Sequence, residues 1–227
     1  SSLKGNNLLV ETEGFKKGLF YSFKSNGIML KKSNNILLSI ENVVGRINPL
    51  SLFMMKLTLS FNGNIGGGKI IGEVDLLKRK NQVNISIDSA NVDEIPFFAI
   101  IGLSGKGVLS GELRFRDRSG DLRFSIKDTR FEGRSFSGVT VPMGIFHNAR
   151  GAMVINGDTV KVSSFSLEGE GIYARAKGDI RGGFMDLTME IMRDSSFTGE
   201  THIFSMIESY KVSPGYYVIP IKSNISF

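Results

Sequence analysis

Apolar and polar residues alternate along most of this chain. Leu57, Leu59 and Phe61 interleave with Lys56, Thr58 and Ser60, and Val83, Ile85 and Ile87 with Asn84, Ser86 and Asp88. Leu113 and Phe115 flank Arg114. Leu122, Phe124 and Ile126 are separated by Arg123 and Ser125, and Met185, Leu187, Met189 and Ile191 by Asp186, Thr188 and Glu190. Successive side chains of a strand point to opposite faces, so each run predicts a strand with one apolar and one wetted face. Runs that are apolar on both faces, the mark of a parallel sheet covered by helices, are missing. The expected sheet is antiparallel.

Between these runs the residues favour turns: Ser25-Asn26-Gly27, Asn62-Gly63, Arg118-Ser119-Gly120, Asn156-Gly157-Asp158 and Gly182-Gly183. Asn-Gly and Gly-Gly supply the positive φ angles of two-residue hairpins. Helices are expected to be few and short. One is predicted over Asn91 to Ile101, with Asp93 as cap and Pro96 in its first turn. A second is predicted over His202 to Tyr210, where Ile203, Met206, Ile207 and Tyr210 share one helical face. Pro49 followed by Leu50, Leu52, Phe53 and Met54 is the place for a third.

The hairpins repeat. Gly72-Glu73-Val74-Asp75-Leu76 returns 39 residues later as Gly111-Glu112-Leu113-Arg114-Phe115, and 72–92 matches 111–131 at five of 21 positions. Val83, Ile85, Ile87 and Val92 fall on Leu122, Phe124, Ile126 and Phe131. The copies span about 68–92 and 107–131, with a looser one over about 172–192 that contains Gly178-Asp179-Ile180. A hairpin cannot bury its apolar face alone, so stacked copies share one. The predicted fold is mainly β. It is a long curled antiparallel sheet, half-barrel or sandwich, built from hairpin repeats with two or three short helices. A single elongated domain over 1–227 is expected.

Composition narrows the class. The 227 residues are 41% hydrophobic and 22% charged, an ordinary globular balance. The longest apolar run, Pro96 to Leu103, is about half of the roughly 18 residues that a membrane-spanning helix needs. Glycine, 27 of 227 residues, is well above the usual ~7%, as many tight turns require. The chain begins at Ser1 rather than Met, so a targeting or anchoring segment is expected to precede it. Zero cysteines exclude disulfides and thiolate chemistry, and they fit an oxidising envelope compartment. The net charge of +6 permits attraction to anionic partners. Its densest runs, Lys16-Lys17, Lys31-Lys32 and Lys78-Arg79-Lys80, fall at turns or strand ends and read as solvated surface.

Residues patterned for chemistry are few. Gly63-Asn64-Ile65-Gly66-Gly67-Gly68-Lys69 matches the start of a phosphate-binding loop, but Ile70 stands where a hydroxyl is needed and a strand follows where a helix is needed. His147 and His202 lie near no G-x-S-x-G elbow. Glu168 with Glu170 and Asp93 with Glu94 are the carboxylate pairs that 22 acids produce by chance. The aromatics of Arg114-Phe115-Arg116 and Arg123-Phe124 fall on the apolar face, not on a nucleic-acid platform. No catalytic residue, metal, cofactor or nucleic-acid partner is expected.

Several stretches together resemble the type II secretion system protein N family, in the long form of deltaproteobacteria-like organisms. They are Pro49-Leu50-Ser51-Leu52 before Leu57 to Phe61, Gly67 to Gly72, Asp93-Glu94-Ile95-Pro96 before Leu103 to Gly107, Val141-Pro142-Met143-Gly144 before Ala149-Arg150-Gly151, and Gly178 to Arg181. They span roughly 37–192, and order and spacing carry the likeness. The hairpin-with-helix repeat is also similar to that of AsmA-like envelope proteins. The resemblance implies a periplasmic domain held by an inner-membrane anchor outside this sequence. It implies a non-enzymatic accessory role in type II protein secretion, with other secretion components as partners. The alternative is a lipid-binding or lipid-bridging module in which Phe97, Phe98, Phe115, Leu122, Phe124 and Met185 line a groove for acyl chains. Against the groove stands the simpler reading, that the same six residues fill a closed core.

Overall fold

In a computed structural model of the chain, the described residues are 8–19, 21–32, 35–49, 57–75, 82–100, 103–132, 134–136, 139–141, 143–199 and 202–224. They are mainly β, in one antiparallel sheet of 15 strands that is not closed into a barrel. The chain divides into two compact units. The first comprises Ser1–Gly102 with Leu109–Asp117, and the second Leu103–Val108 with Arg118–Phe227.

The first unit holds β1 (Leu8–Glu13), β2 (Lys16–Lys17), β3 (Ser22–Lys32), β4 (Asn35–Ile47), β5 (Thr58–Ile65), β6 (Gly68–Asp75) and β7 (Gln82–Asn91). A 3-10 turn at Val92–Glu94 and a short helix, α1 (Pro96–Ile100), come next. β8 (Gly105–Arg116) gives its later residues to this unit and residues 105–108 to the second. The second unit holds β9 (Ser119–Phe131), β10 (Arg134–Phe136), β11 (Val139–Val141), β12 (Phe146–Asn156), β13 (Thr159–Gly169), β14 (Ile172–Arg181) and β15 (Phe184–Arg193). Its last elements are α2 (His202–Met206), β16 (Lys211–Ser213) and β17 (Tyr216–Asn224). Strands follow the order β1-β3-β4-β5-β6-β7-β8-β9-β12-β13-β14-β15-β17-β16, with β2 on β3. β10 and β11 pair separately.

Consecutive strands pair because alternation and tight turns act together. The turns at Gly66-Gly67 (φ 51° and 70°) and Gly182-Gly183 (φ 54° and 84°) need a left-handed backbone that glycine adopts without strain. Gly182-Gly183 and Gly157-Asp158 are turns as expected, and the expected turn at 118–120 lies one residue earlier, at Asp117-Arg118. Ser25-Asn26-Gly27 and Asn62-Gly63 are not turns but strand interiors of β3 and β5. Ser25 is buried, and its hydroxyl donates to the carbonyls of Glu13 (2.7 Å) and Gly27 (2.9 Å), so its polarity is satisfied within the sheet.

The helices are shorter than the periodicity predicts. Asn91–Ile101 was expected as one helix, but the residue before a proline is excluded from the α region. Ile95 accordingly sits at φ −102° and ψ 107° and separates the 3-10 turn from α1. Asp93 caps nothing: Asn91 occupies the cap position, and its amide donates to Glu94 Oε1 at 2.9 Å. The second predicted helix breaks at Ile207 (φ −112°, ψ 12°) into α2 and a 3-10 turn at Glu208–Tyr210. The third falls mostly on residues 50–56, outside the described residues.

The first two copies of the repeat are β6–β7 and β8–β9, and each carries a non-glycine residue in the left-handed region 39 positions from the other, Ser89 (φ 57°) and Asp128 (φ 53°). A β-carbon on Gly68 would strike the backbone at Asp88 to Ala90, and one on the matching Gly107 would press against Ile126. Both copies therefore have a kink that folds the chain over a glycine, and the small residue beyond each kink is buried, Ala90 in one and Thr129 in the other. The looser copy, β14–β15, pairs in continuous register without a kink.

Candidate functional site

The register of the second unit lines up side chains in rows across one face of the sheet, because directly paired residues of neighbouring strands point the same way. Ile126, Ala149, Leu167, Ala174, Ile191 and Tyr217 form one row over β9, β12, β13, β14, β15 and β17. Every member is 4% exposed or less. Toward the hairpin turns come Phe124, Gly151, Phe165, Ala176, Met189 and Ile219, then Leu122, Met153, Val162, Gly178, Leu187 and Ile221. The last apolar row is Ile155, Val160, Ile180 and Met185, and all four are half-buried.

Burial thus falls along β9, β12, β14 and β15 although the residue class does not change, while Val162 on β13 and Ile221 on β17 stay buried. The sealed end has a plug. Phe204 of α2 and Ile207 are buried, and the Phe204 ring lies 5.4 Å from both Phe197 and Tyr217. The Arg193 guanidinium covers the Phe204 ring at 4.5 Å. Met143 and Phe146 are buried at the same end, where the Thr129 hydroxyl donates to the Phe146 carbonyl at 2.6 Å. At the turn end, a β-carbon on Gly157 or Gly182 would meet nothing within 4 Å. Among the described residues the one other sheet is the two-stranded β10–β11, and β11 packs against α2.

The first unit follows the same plan. Val43, Ile65 and Ile70 are buried near Val92 and Ile95, where α1 packs against β4, while Ile47, Leu59, Val74 and Val83 form a half-buried row at the other end. A recurring device lets the strands approach closely. The rings of Phe23, Phe61 and Phe124 lie over Gly45, Gly72 and Gly151 on the adjacent strands, where a β-carbon would overlap them. An aromatic ring placed over a glycine of the next strand covers exposed backbone and suits a bent sheet.

The six sequence-predicted groove residues lie on α1, on β8 and on the apolar face of the second unit. Phe97 and Phe98 sit on α1, with rings edge-to-face at 5.8 Å; Phe97 is exposed and Phe98 half-buried. Phe115 belongs to the first unit, half-buried on β8 and on the same face as buried Leu109. Leu122 and Phe124 share the apolar face of the second unit with Met185, which lies four strands away. All three are half-buried. Periodicity missed Phe165, whose ring is 6.4 Å from Phe124. The signal was present: the alternation Val160, Val162 resumes at Phe165, Leu167 after one extra residue, and the register shift between Val162 and Phe165 is a bulge.

The opposite face is polar. Cross-strand ion pairs join Arg150 to Glu168 (3.5 Å), Lys177 to Glu190 (3.5 Å) and Lys222 to Asp186 (3.8 Å). Exposed pairs of this kind contribute about 0–1 kcal/mol each and mainly keep that face wetted. Among the described residues no group of three or more His, Asp or Glu side chains is placed to hold a metal, and no helix is long and apolar enough to cross a membrane.

The strands define a class, a mainly β protein built on one antiparallel sheet that is not closed into a barrel. No family model matches the chain, and no curated protein or solved structure matches it.

Proposed function

We propose that this chain is a non-enzymatic envelope module that holds acyl chains of lipids along the apolar face of its sheet. The observation that carries this reading is the half-buried row Ile155, Val160, Ile180 and Met185, on the same face as the fully buried row Ile126, Ala149, Leu167, Ala174, Ile191 and Tyr217. Extended apolar surface of this kind on a folded domain is characteristic of binding sites. The guest runs along the strands from the turn end and stops at the plug around Phe204. Leu122, Phe124 and Met185 line it in the second unit, and Phe115 lies at the matching end of the first.

Native mass spectrometry after mild purification tests this. Lipid adducts are expected, and Ile180→Lys, which puts a charge into the half-buried row, removes them while Lys177→Gln on the polar face does not. Absence of adducts from the native protein, or adducts indifferent to Ile180→Lys, would sink the proposal.

A second reading is an accessory scaffold of type II secretion in the periplasm, anchored to the inner membrane and partnered by other secretion components. The terminal strand β1 favours it. Among the described residues β1 pairs only with β3, and Leu9 and Val10 are exposed on it, a form of edge that accepts an added strand. Pull-downs from envelope extracts that recover no secretion component would remove this reading.

A further inference from the structure

The hairpin that joins β2 to β3 combines features that each weaken a surface turn facing only water. Leu19 is 81% exposed, Tyr21 66% and Phe15 59%, three large apolar or aromatic side chains within seven residues. Tyr21 also adopts φ 59°, a left-handed backbone that disfavours a bulky residue. Lys16 stands directly opposite Lys24, and like charges across a strand pair repel. From Gly14 to Lys24 the sequence carries three lysines and no acid, and Arg46, the register partner of Ser22, adds another cation.

The hairpin is nonetheless well built. Gly18 N–H donates to the Ser22 carbonyl at 2.9 Å, and the Ser22 hydroxyl donates to the Leu19 carbonyl at 2.6 Å. The Ile47 N–H reaches the Tyr21 carbonyl at 3.0 Å. The Phe15 ring stacks at 5.6 Å on Phe23, which lies over Gly45. The strand base is thus fixed to the sheet, and Leu19 and Tyr21 are presented beyond it.

We infer that this hairpin is a membrane-docking tip for the surface of an anionic phospholipid bilayer. Leu19, with Tyr21 beside it, enters the boundary between headgroups and acyl chains, and Lys16, Lys17, Lys24 and Arg46 neutralise lipid phosphates around it. The bilayer relieves each unfavourable feature: apolar area leaves water, the facing lysines gain counter-charges, and an aromatic with a hydroxyl suits the interface. This inference does not rest on the lipid-holding reading, because the tip belongs to the first unit and the row Ile155, Val160, Ile180 and Met185 that carries that reading belongs to the second.

The chain has no tryptophan, so Leu19→Trp introduces a single reporter at an exposed site. The full chain is mixed with vesicles of phosphatidylcholine containing phosphatidylglycerol, and with phosphatidylcholine alone. The expected result is a blue-shifted Trp emission quenched by brominated acyl chains on the anionic vesicles. In the native background, Lys16→Gln with Lys17→Gln should weaken vesicle partitioning by about thirtyfold, at about fivefold per lysine near an anionic surface. Leu19→Ser should weaken it by about tenfold. Unchanged Trp emission overturns the inference, whether or not the protein sediments with the vesicles. So does loss of the emission shift when Ile180→Lys is added, which would assign the lipid contact to the apolar face instead.

Discussion

Ile191 and Met185 belong to one strand, one face and one alternating run, yet Ile191 is 4% exposed and Met185 is half-buried. Alternation decides which way a side chain points. What lies over it is decided elsewhere: in the second unit by α2 and Phe197, and in the first by Val92, Ile95 and α1. The two ends of each sheet segment therefore have different physical tasks. The plugged end supplies cohesion, because fully buried apolar side chains stabilise by roughly 1.5–3 kcal/mol each. The turn end contributes less to folding and leaves apolar area available to a guest.

The sharpest way to break this comparison is to truncate one residue at each end of β15. Ile191→Ala should destabilise by about 3 kcal/mol, the transfer loss plus a cavity, and Met185→Ala by about 1 kcal/mol. Urea unfolding monitored by far-UV circular dichroism reads both. Equal losses would mean that the turn end is as tightly packed as the plugged end, and the holding face would disappear as a concept.

The aromatic-over-glycine device sits between the two ends and gives a smaller effect. Gly151→Ala forces the Phe124 ring off its neighbour and should destabilise by about 2 kcal/mol, in the range of overpacked sites. In Phe124→Ala the new methyl has room, so the same glycine change should be nearly neutral there. The double-mutant cycle should yield about 2 kcal/mol of coupling. Additive losses would show that the ring and the glycine are not one unit.

Much of this fold was legible in the sequence, for physical reasons that can be named. The strands at 83–87, 113–126 and 185–191 announced themselves through period-two alternation, and the 39-residue repeat through Gly72 and Gly111. The plug was only half legible. Its apolar spacing was visible, but Pro96 and Ile207 shorten the helices for backbone reasons that periodicity ignores. Asn62-Gly63 has the composition of a hairpin turn, yet it lies within β5, because the adjacent Gly66-Gly67 turn sets the register that buries Ile65 and Ile70. The groove residues were chosen one strand at a time. Which of them share a row depends on register, and the bulge at Val162 to Phe165 hid the ring that sits beside Phe124.

The kinks offer a third, gentler test, since they carry the chain toward the buried end. Ser89→Gly and Asp128→Gly relieve left-handed strain, and each should stabilise by about 0.5–1 kcal/mol, net of the greater unfolded-state freedom of glycine. Matching gains would support equivalent kinks in the two repeat copies. A smaller gain at Ser89 would mean that its hydroxyl, which donates to Asp88 Oδ1 at 3.2 Å, holds the kink, and a loss at both would mean that the left-handed backbone is not strained.

The smallest effect concerns pH and lies wholly at the plugged end. In the turn after β15, the Ser196 hydroxyl (2.5 Å) and backbone N–H (2.7 Å) both donate to Asp194 Oδ1. These bonds, the hydroxyl first, hold the carboxyl below its ordinary value. A group whose pKa is lowered on folding stabilises above its unfolded pKa, and that contribution fades as pH falls through the folded value. On the other side, Glu208 accepts from Lys211 at 2.5 Å and raises the lysine, whose contribution is complete below the ordinary lysine range and fades as pH rises above it. Both groups are fully exposed, so the effects are small. Comparing thermal midpoints of the native chain and Asp194→Asn from about pH 5 to about pH 2 isolates the acid limb. The difference should narrow as pH falls. A constant difference would mean that the Ser196 bonds hold the turn without favouring the carboxylate, and the plugged end would then owe its acid stability to packing alone.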